Sequence, residues 1–347
     1  MIKVLVVDDS SFMRQELTRL ISDDPDIEVI GTAFDGAHAL KKIPILKPDV
    51  VTLDIEMPQM DGLTALKHIM ISHPLPVVII SSLTQKGAEI TFEAIQLGAV
   101  EVIPKPSGTI SLNIKQQKQE IIEKIKAAHK VDCKKIRRIA PPAPVVKKYP
   151  PMSTECSHIV AIGVSTGGPQ TLMKIIPQLP GDLPAAIMVV QHMPPVFTKS
   201  FATRLNSVSN LTVKEAENND IILEGHVYIA PGGYHMTAGK NGKHIEISEE
   251  PSGTLHRPSV DVMFDSLVKG QTKQLTGVIL TGMGKDGAAG LKKIHDKGFS
   301  TIGESESSSV VYGMPREAAN MGAVDFVLDK GDIASKIIEL VSRGSKV

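Results

Sequence analysis

The chain has little cysteine, no excess of either charge and no long apolar run, and each shortage closes off a class of function. Its two cysteines, Cys133 and Cys156, rule out a disulfide framework and suit a reducing compartment. Lys plus Arg and Asp plus Glu both number 38, so the charge balance carries no footprint of nucleic acid or of an anionic membrane. No window approaches the roughly 18 apolar residues that a membrane-spanning helix needs. The first residues, MIKVLVVDDS, turn acidic too soon for a signal peptide. A cytoplasmic protein is expected, and any membrane protein it acts on must offer it a cytosolic part.

What is present is a chain of 347 residues, long for a single core and suited to two domains. In the first, short β-branched runs alternate with amphipathic stretches. VLVV precedes SFMRQELTRLIS, EVIGTA precedes a helix around His38 to Ile43, and VVTLDIEMP precedes LTALKHIMI. PVVIIS and VEVIPKP are likewise followed by helical patterns. Five strands, each followed by a helix, imply a parallel sheet covered on both faces. Residues 129–156 are rich in proline, lysine and arginine without apolar periodicity, and read as an extended linker.

Alternation resumes from residue 157. HIVAIGVS, AAIMVVQHM, LTGVILTGMGKDG, STIGE and VDFVLD are strand patterns with helical stretches between them. HVYIAPGGYHMTA with KHIEISE reads as a strand or hairpin insertion. The fold class is α/β: two doubly wound parallel-sheet domains, a flavodoxin-like one over 1–128 and a Rossmann-like one over 157–347. Sites in such sheets lie beyond the carboxyl ends of the strands.

In the first domain Asp8 and Asp9 end the first strand, Asp54 ends the third, and Lys105 follows the fifth. Singly, such acids are often helix N-caps. Together at one end of a sheet they repel unless a cation intervenes, and oxygen-only donors suit Mg²⁺. A carboxylate beside Mg²⁺ and a lysine is placed to accept a phosphoryl group. VLVVDDS, VVTLDIEMPQMDG, VVIISS and VIPKP are, in order and spacing, similar to the receiver domain of two-component response regulators. That resemblance implies phosphorylation of Asp54 by a histidine kinase. It also implies Mg²⁺ held by Asp8, Asp9, Asp54 and the backbone carbonyl of Glu56, and a switch formed by Ser81, with Ser82 one residue away, and Lys105.

In the second domain AIGVSTGGPQ sets Ser165 among glycines after an apolar run. A P-loop needs a lysine that is missing here, and the dinucleotide fingerprint needs a glycine where Ser165 stands. The pentapeptide Gly163-Val164-Ser165-Thr166-Gly167 matches G-x-S-x-G between strand and helix, the setting of a nucleophile elbow, and also of a plain glycine turn. A serine nucleophile needs a base and an orienting acid. His192 stands just past an apolar strand and Asp286 in a second glycine-rich loop, a position that also suits an N-cap of the next helix. His235 and His256 are further cleft candidates, His226 and His244 fall in the insertion, and His295 lies among charges in a helix. The order Ser, His, Asp departs from the α/β-hydrolases.

AIGVSTGGP, VVQHMPP, YIAPGGYH, HRPSVDVMF and ILTGMGKDG resemble the effector domain of the chemotaxis protein-glutamate methylesterases, and receiver plus linker extend the likeness over the whole chain. The resemblance implies Ser165 as nucleophile, His192 as base and Asp286 as its orienting acid, acting on γ-glutamyl methyl esters of methyl-accepting chemotaxis receptors. It implies Thr166 beside the nucleophile, the Met283 backbone at the oxyanion hole, and glutamine deamidation by the same acyl chemistry. The esterase reaction calls for no cofactor, nucleic acid or membrane insertion. It further implies a receiver that covers the effector site until Asp54 is phosphorylated. His256, Arg257 and Asp261 either border the cleft or serve structure. An esterase for another substrate, and a non-catalytic binding module, are the competing readings.

Overall fold

The computed structural model describes residues 1–82, 85–105, 111–133, 156, 158–270 and 274–344. The chain divides into two compact units, Met1–Pro141 and Pro142–Val347. Residues 134–155, the body of the expected linker, lie outside the described residues. Among the described residues no helix is long and apolar enough to cross a membrane.

The first unit runs β1 (Ile2–Val7), α1 (Ser11–Ser22), β2 (Ile27–Ala33), α2 (Gly36–Leu46), β3 (Val50–Asp54), α3 (Gly62–Ser72), β4 (Val77–Ser81), α4 (Gln85–Leu97), β5 (Glu101–Pro104) and α5 (Ser111–His129). The sheet is wholly parallel in the order β2-β1-β3-β4-β5. Every residue of β3 and β4 is buried, which is why both strands are mostly apolar rather than alternating. Winding reverses between β1 and β3, so the residues that follow them are neighbours at the crevice.

The second unit runs β6 (His158–Val164), α6 (Gly168–Ile175), β7 (Ala186–Gln191), α7 (Phe197–Val208), β8 (Thr212–Glu215), β9 (His226–Ile229), β10 (His235–Ala238) and β11 (Ile245–Ser248). It continues with α8 (Val260–Lys269), β12 (Gln274–Ile279), α9 (Ala288–Asp296), β13 (Ser300–Glu304), α10 (Met314–Asn320), β14 (Phe326–Leu328) and α11 (Ile333–Gly344). Seven parallel strands pair in the order β14-β13-β12-β6-β7-β9-β8. β10 and β11 pair antiparallel as the insertion.

β9, expected within the insertion together with His226, belongs to the main sheet. β8, with the short polar sequence TVKE, carries no strand pattern in the sequence; it is an edge strand, and a strand paired on one side carries a weak apolar signal. The second reversal of winding falls between β6 and β12, so the loops after these two strands and after β7 meet at one crevice.

Candidate functional site

A cluster of ionisable groups gathers at the carboxyl ends of the first sheet. Asp54 closes β3 and Asp8 follows β1, both buried, while Asp9 is exposed. One carboxylate oxygen from each of the three lies within 4.8 Å of the others. Lys105 follows β5 and places Nζ 2.7 Å from Asp54 Oδ2 and 3.0 Å from Asp8 Oδ2. The Lys105 backbone N–H donates to the carbonyl of buried Ser81 at 2.8 Å, which draws these two residues together. Burial pushes the Asp54 carboxyl up to about 6, against the pull of Lys105. Burial opposes the charge on Lys105, yet Asp54 and Asp8 together hold it above the usual lysine range.

The N-cap of α1 is Ser10, whose Oγ accepts from the Met13 N–H, so Asp8 and Asp9 are left for other work. Asp8 Oδ1 accepts from the Ser10 N–H at 2.9 Å. Asp8 Oδ2 is buried, with Lys105 Nζ 3.0 Å away as its ion-pair partner. Three hard oxygen donors gathered within 4.8 Å of one another fit Mg²⁺. Glu56 keeps its side chain exposed, and its N–H reaches Asp54 Oδ1 at 3.4 Å, which fixes its backbone beside the carboxylates.

The second cluster lies at the crevice of the seven-stranded sheet. Ser165 is the first residue past β6 and His192 the first past β7, and the register pairs Val164 with Gln191. The His192 N–H donates to the Val164 carbonyl at 3.2 Å, so nucleophile and base candidates leave adjacent strand ends side by side. Gly167, at φ 76°, makes the turn into α6. The positive-φ residues other than glycine are Lys47, Gln59, Val196 and Asn219 among the described residues. Ser165 therefore lacks the strained backbone of an α/β-hydrolase elbow, and the sharp turn falls two residues later.

His192 Nε2 lies 2.8 Å from Asp286 Oδ2. An ionised carboxylate only accepts, so Nε2 carries the proton and Nδ1 holds the lone pair. That Nδ1 is buried and has no hydrogen-bond partner among the described residues. Asp286 does not cap α9, whose N-cap is Gly287 without a side-chain bond. It caps α8 instead: Oδ2 accepts from the Val260 N–H at 2.7 Å, and Oδ1 from the Asp261 N–H at 3.1 Å and the Ser259 hydroxyl at 2.9 Å. Burial pushes this carboxyl up, but the His192 hydrogen bond and the two amide donors outweigh it and hold it well below the usual range. A carboxylate at a helix N-terminus, with four donors, stays ionised and keeps the imidazole in one tautomer.

Thr166 is buried, and its carbonyl accepts from Thr281 Oγ1 at 2.9 Å. Thr281 also takes the Ser165 N–H on its own carbonyl at 3.0 Å. The loop of Gly282 and Met283 passes directly beside the serine, since a Cβ on Gly282 would stand 2.8 Å from Ser165 Cβ. Gly282 is tied down by the N–H groups of Gly313 and Met314 on its carbonyl.

Of the open histidines, His256 stacks its ring on His192 at 4.1 Å between centroids. His235 is fully buried behind the site. Its Nδ1 accepts from the Ser259 N–H and its Nε2 lies 3.2 Å from Thr254 Oγ1. His226 and His244 contact Glu224 and Glu246, and His295 contacts Asp325. Asp261 serves structure, its Oδ1 accepting from the Gly290 N–H at 2.6 Å to join α8 to α9. Arg257 pairs with Glu249 at 3.3 Å.

Four residues of the site escaped the sequence reading: Gln191, Ser259, Thr281 and Glu304. Glu304 ends β13 fully buried, and its Oε2 accepts from the Thr281 N–H at 2.8 Å. The signal available for Gln191 and Glu304 was an amide or acid closing an apolar strand at the end where the site lies. For Ser259 it was an N-cap serine ahead of VDVMF.

Fold and clusters together describe a class: a receiver-type unit with an aspartate and lysine pocket, carried in one chain with a hydrolase-type unit that bears serine, histidine and aspartate. The response regulator receiver domain model matches residues 4–115, and the CheB methylesterase model matches residues 160–337. The chain is 47% identical to the protein-glutamate methylesterase/protein-glutamine glutaminase 2 of Carboxydothermus hydrogenoformans, over 98% of this chain and 99% of that protein. It is also 47% identical to the protein-glutamate methylesterase/protein-glutamine glutaminase of Pyrococcus horikoshii, over 98% and 94%. The crystal structure of the Thermotoga maritima CheB methylesterase catalytic domain aligns with a TM-score of 0.50 at 47% identity, covering 52% of this chain and 97% of that one. This chain belongs to the protein-glutamate methylesterase/protein-glutamine glutaminase family, the receiver-bearing CheB methylesterases.

Proposed function

We propose that the chain hydrolyses γ-glutamyl methyl esters, and deamidates glutamines, on methyl-accepting chemotaxis receptors, under control of phosphorylation at Asp54. The observation that carries the reading is the state of His192, with Nε2 committed to Asp286 and a buried Nδ1 that has no partner among the described residues, on a residue whose backbone is bonded to the strand end that carries Ser165.

In this mechanism Ser165 Oγ attacks the ester carbonyl while Nδ1 of His192 takes its proton. The imidazolium that forms faces the Asp286 carboxylate, whose ionised state supports it. The developing oxyanion is met by backbone N–H groups of the loop around Met283 and of the Thr166 turn. His192 returns the proton to the departing oxygen, and methanol leaves. Water, deprotonated by the same nitrogen, cleaves the acyl-enzyme and restores Ser165, leaving a glutamate. With a glutamine side chain the leaving group is ammonia and the product is the same.

In the receiver unit Asp54 is the phosphoacceptor, with a chemotaxis histidine kinase as donor. Asp8, Asp9, Asp54 and the Glu56 carbonyl would hold Mg²⁺, which when bound shields the negative charge gathered around the phosphoryl group. Lys105 supplies a fixed positive charge on the other side, and Ser81 stands at the end of β4 to meet the phosphoryl oxygens. To test the substrate class, methanol release from methylated receptor membranes is compared with hydrolysis of simple alkyl esters. The reading expects strong preference for the membranes. Equal turnover of both would transfer the chain to a general esterase role.

A further inference from the structure

Gln191 closes β7, a strand otherwise built of Ala, Ile, Met and Val, and its side chain is 1% exposed. Nε2 donates to two carbonyls at once, that of Ser165 at 3.1 Å and that of His192 at 3.0 Å. An amide facing two carbonyl oxygens must present its NH₂, so the orientation is fixed by chemistry. The other end is less comfortable. Oε1 is buried with no hydrogen-bond partner among the described residues. It lies where a Cβ on Gly168 would come within 2.0 Å, so only a glycine at the start of α6 leaves room for the amide.

A buried amide with one end unsatisfied costs stability, at a strand position where an apolar residue would fit the run. What the fold gains is a single rigid group that spans the backbones of the nucleophile and the base. Ser165 and His192 sit on different strands, and the ladder bond between Val164 and His192 fixes their backbones only along one line. The Gln191 bridge adds a second tie from beneath, which sets the distance and tilt between the two side chains.

We infer that Gln191 is a positioning residue for the esterase reaction, holding Ser165 and His192 in attack geometry through their carbonyls. This rests on the reading of Ser165 as nucleophile. Misplacing a catalytic pair by about 1 Å can cost roughly 10²-fold in rate, and the bridge acts on the backbones of that pair. The amide therefore acts on kcat and leaves KM in place.

The test is steady-state methanol release from methylated receptor membranes by the full chain, comparing wild type, Ser165→Ala, Gln191→Met and Gln191→Glu. Gln191→Met keeps the volume and removes the donor. The expected result is a fall in kcat of about 10- to 100-fold with KM within twofold. Gln191→Glu adds a readout that simple packing would not move. Its carboxyl donates only when protonated, so its activity relative to wild type should climb as pH falls. Wild-type kcat in Gln191→Met, or a loss confined to KM, overturns the inference, as does a pH-independent ratio for a folded Gln191→Glu. If Ser165→Ala itself releases methanol at the wild-type rate, the nucleophile reading fails, and that failure is separate from the behaviour of the Gln191 variants.

Discussion

At the scale of single residues, chemistry is set by which atom each side chain leaves unused. His192 spends Nε2 on Asp286 and keeps Nδ1, so Asp286→Asn reverses the preference. An asparagine amide can donate to Nε2, which turns the ring and moves the proton to Nδ1, the nitrogen needed as base. Methanol release should fall about 10³- to 10⁴-fold while the thermal midpoint changes little beyond the loss of the α8 cap. A second residue-scale prediction concerns His158, which is buried against Thr276 at 2.9 Å and whose imidazole burial holds down to about 4. The unfolded chain binds its proton near 6.5 and the folded chain does not, so stability is full above pH 6.5 and is lost as pH falls toward 4. The loss amounts to about 3 kcal/mol. Urea denaturation followed by circular dichroism should show that slope in wild type and a flatter one in His158→Gln.

At the scale of elements, the site depends on where strands and helices end. Gly163, inside β6, admits α8 so closely that a Cβ there would stand 2.2 Å from Val260 Cγ1. Val260 also gives its N–H to Asp286, so packing and chemistry share one contact. Gly163→Ala should cost about 1–3 kcal/mol and lower kcat as well, and adding Val260→Ala should restore both. A thermal melt and an activity assay on the single and double variants check this.

The same scale explains what the sequence made legible. Ser165, His192, Asp286, Asp54 and Lys105 each follow an apolar run that could only be a buried strand, and such runs are the strongest local signal. The order of strands in the sheet is a long-range property with no local mark. So β9 was drawn into the hairpin by its neighbour APGG, and β8 vanished into a polar edge. The bonds of Asp286 were illegible for the same reason. From the sequence it precedes α9, and nothing local reveals that the N-terminus of α8, some 25 residues back, supplies its donors.

At the scale of the whole molecule, two parallel sheets place their chemistry by one rule, in the crevice where winding reverses. In the first sheet that rule gathers carboxylates and a lysine, in the second a hydroxyl, an imidazole and a carboxylate. On the proposed reading, a phosphoryl group on Asp54 adds negative charge beside Lys105 at the carboxyl end of the receiver sheet. Asp54→Asn should therefore keep the basal esterase rate and lose all stimulation by a small phosphodonor.

The measurement to make first is methanol release from methylated receptor membranes, with wild type and Ser165→Ala, each with and without a small phosphodonor and Mg²⁺. Wild type should release methanol and do so faster with the donor, while Ser165→Ala should fall by at least about 10³-fold under both conditions. Equal release by the two proteins would contradict the assignment of Ser165, and release indifferent to the donor would contradict control through Asp54.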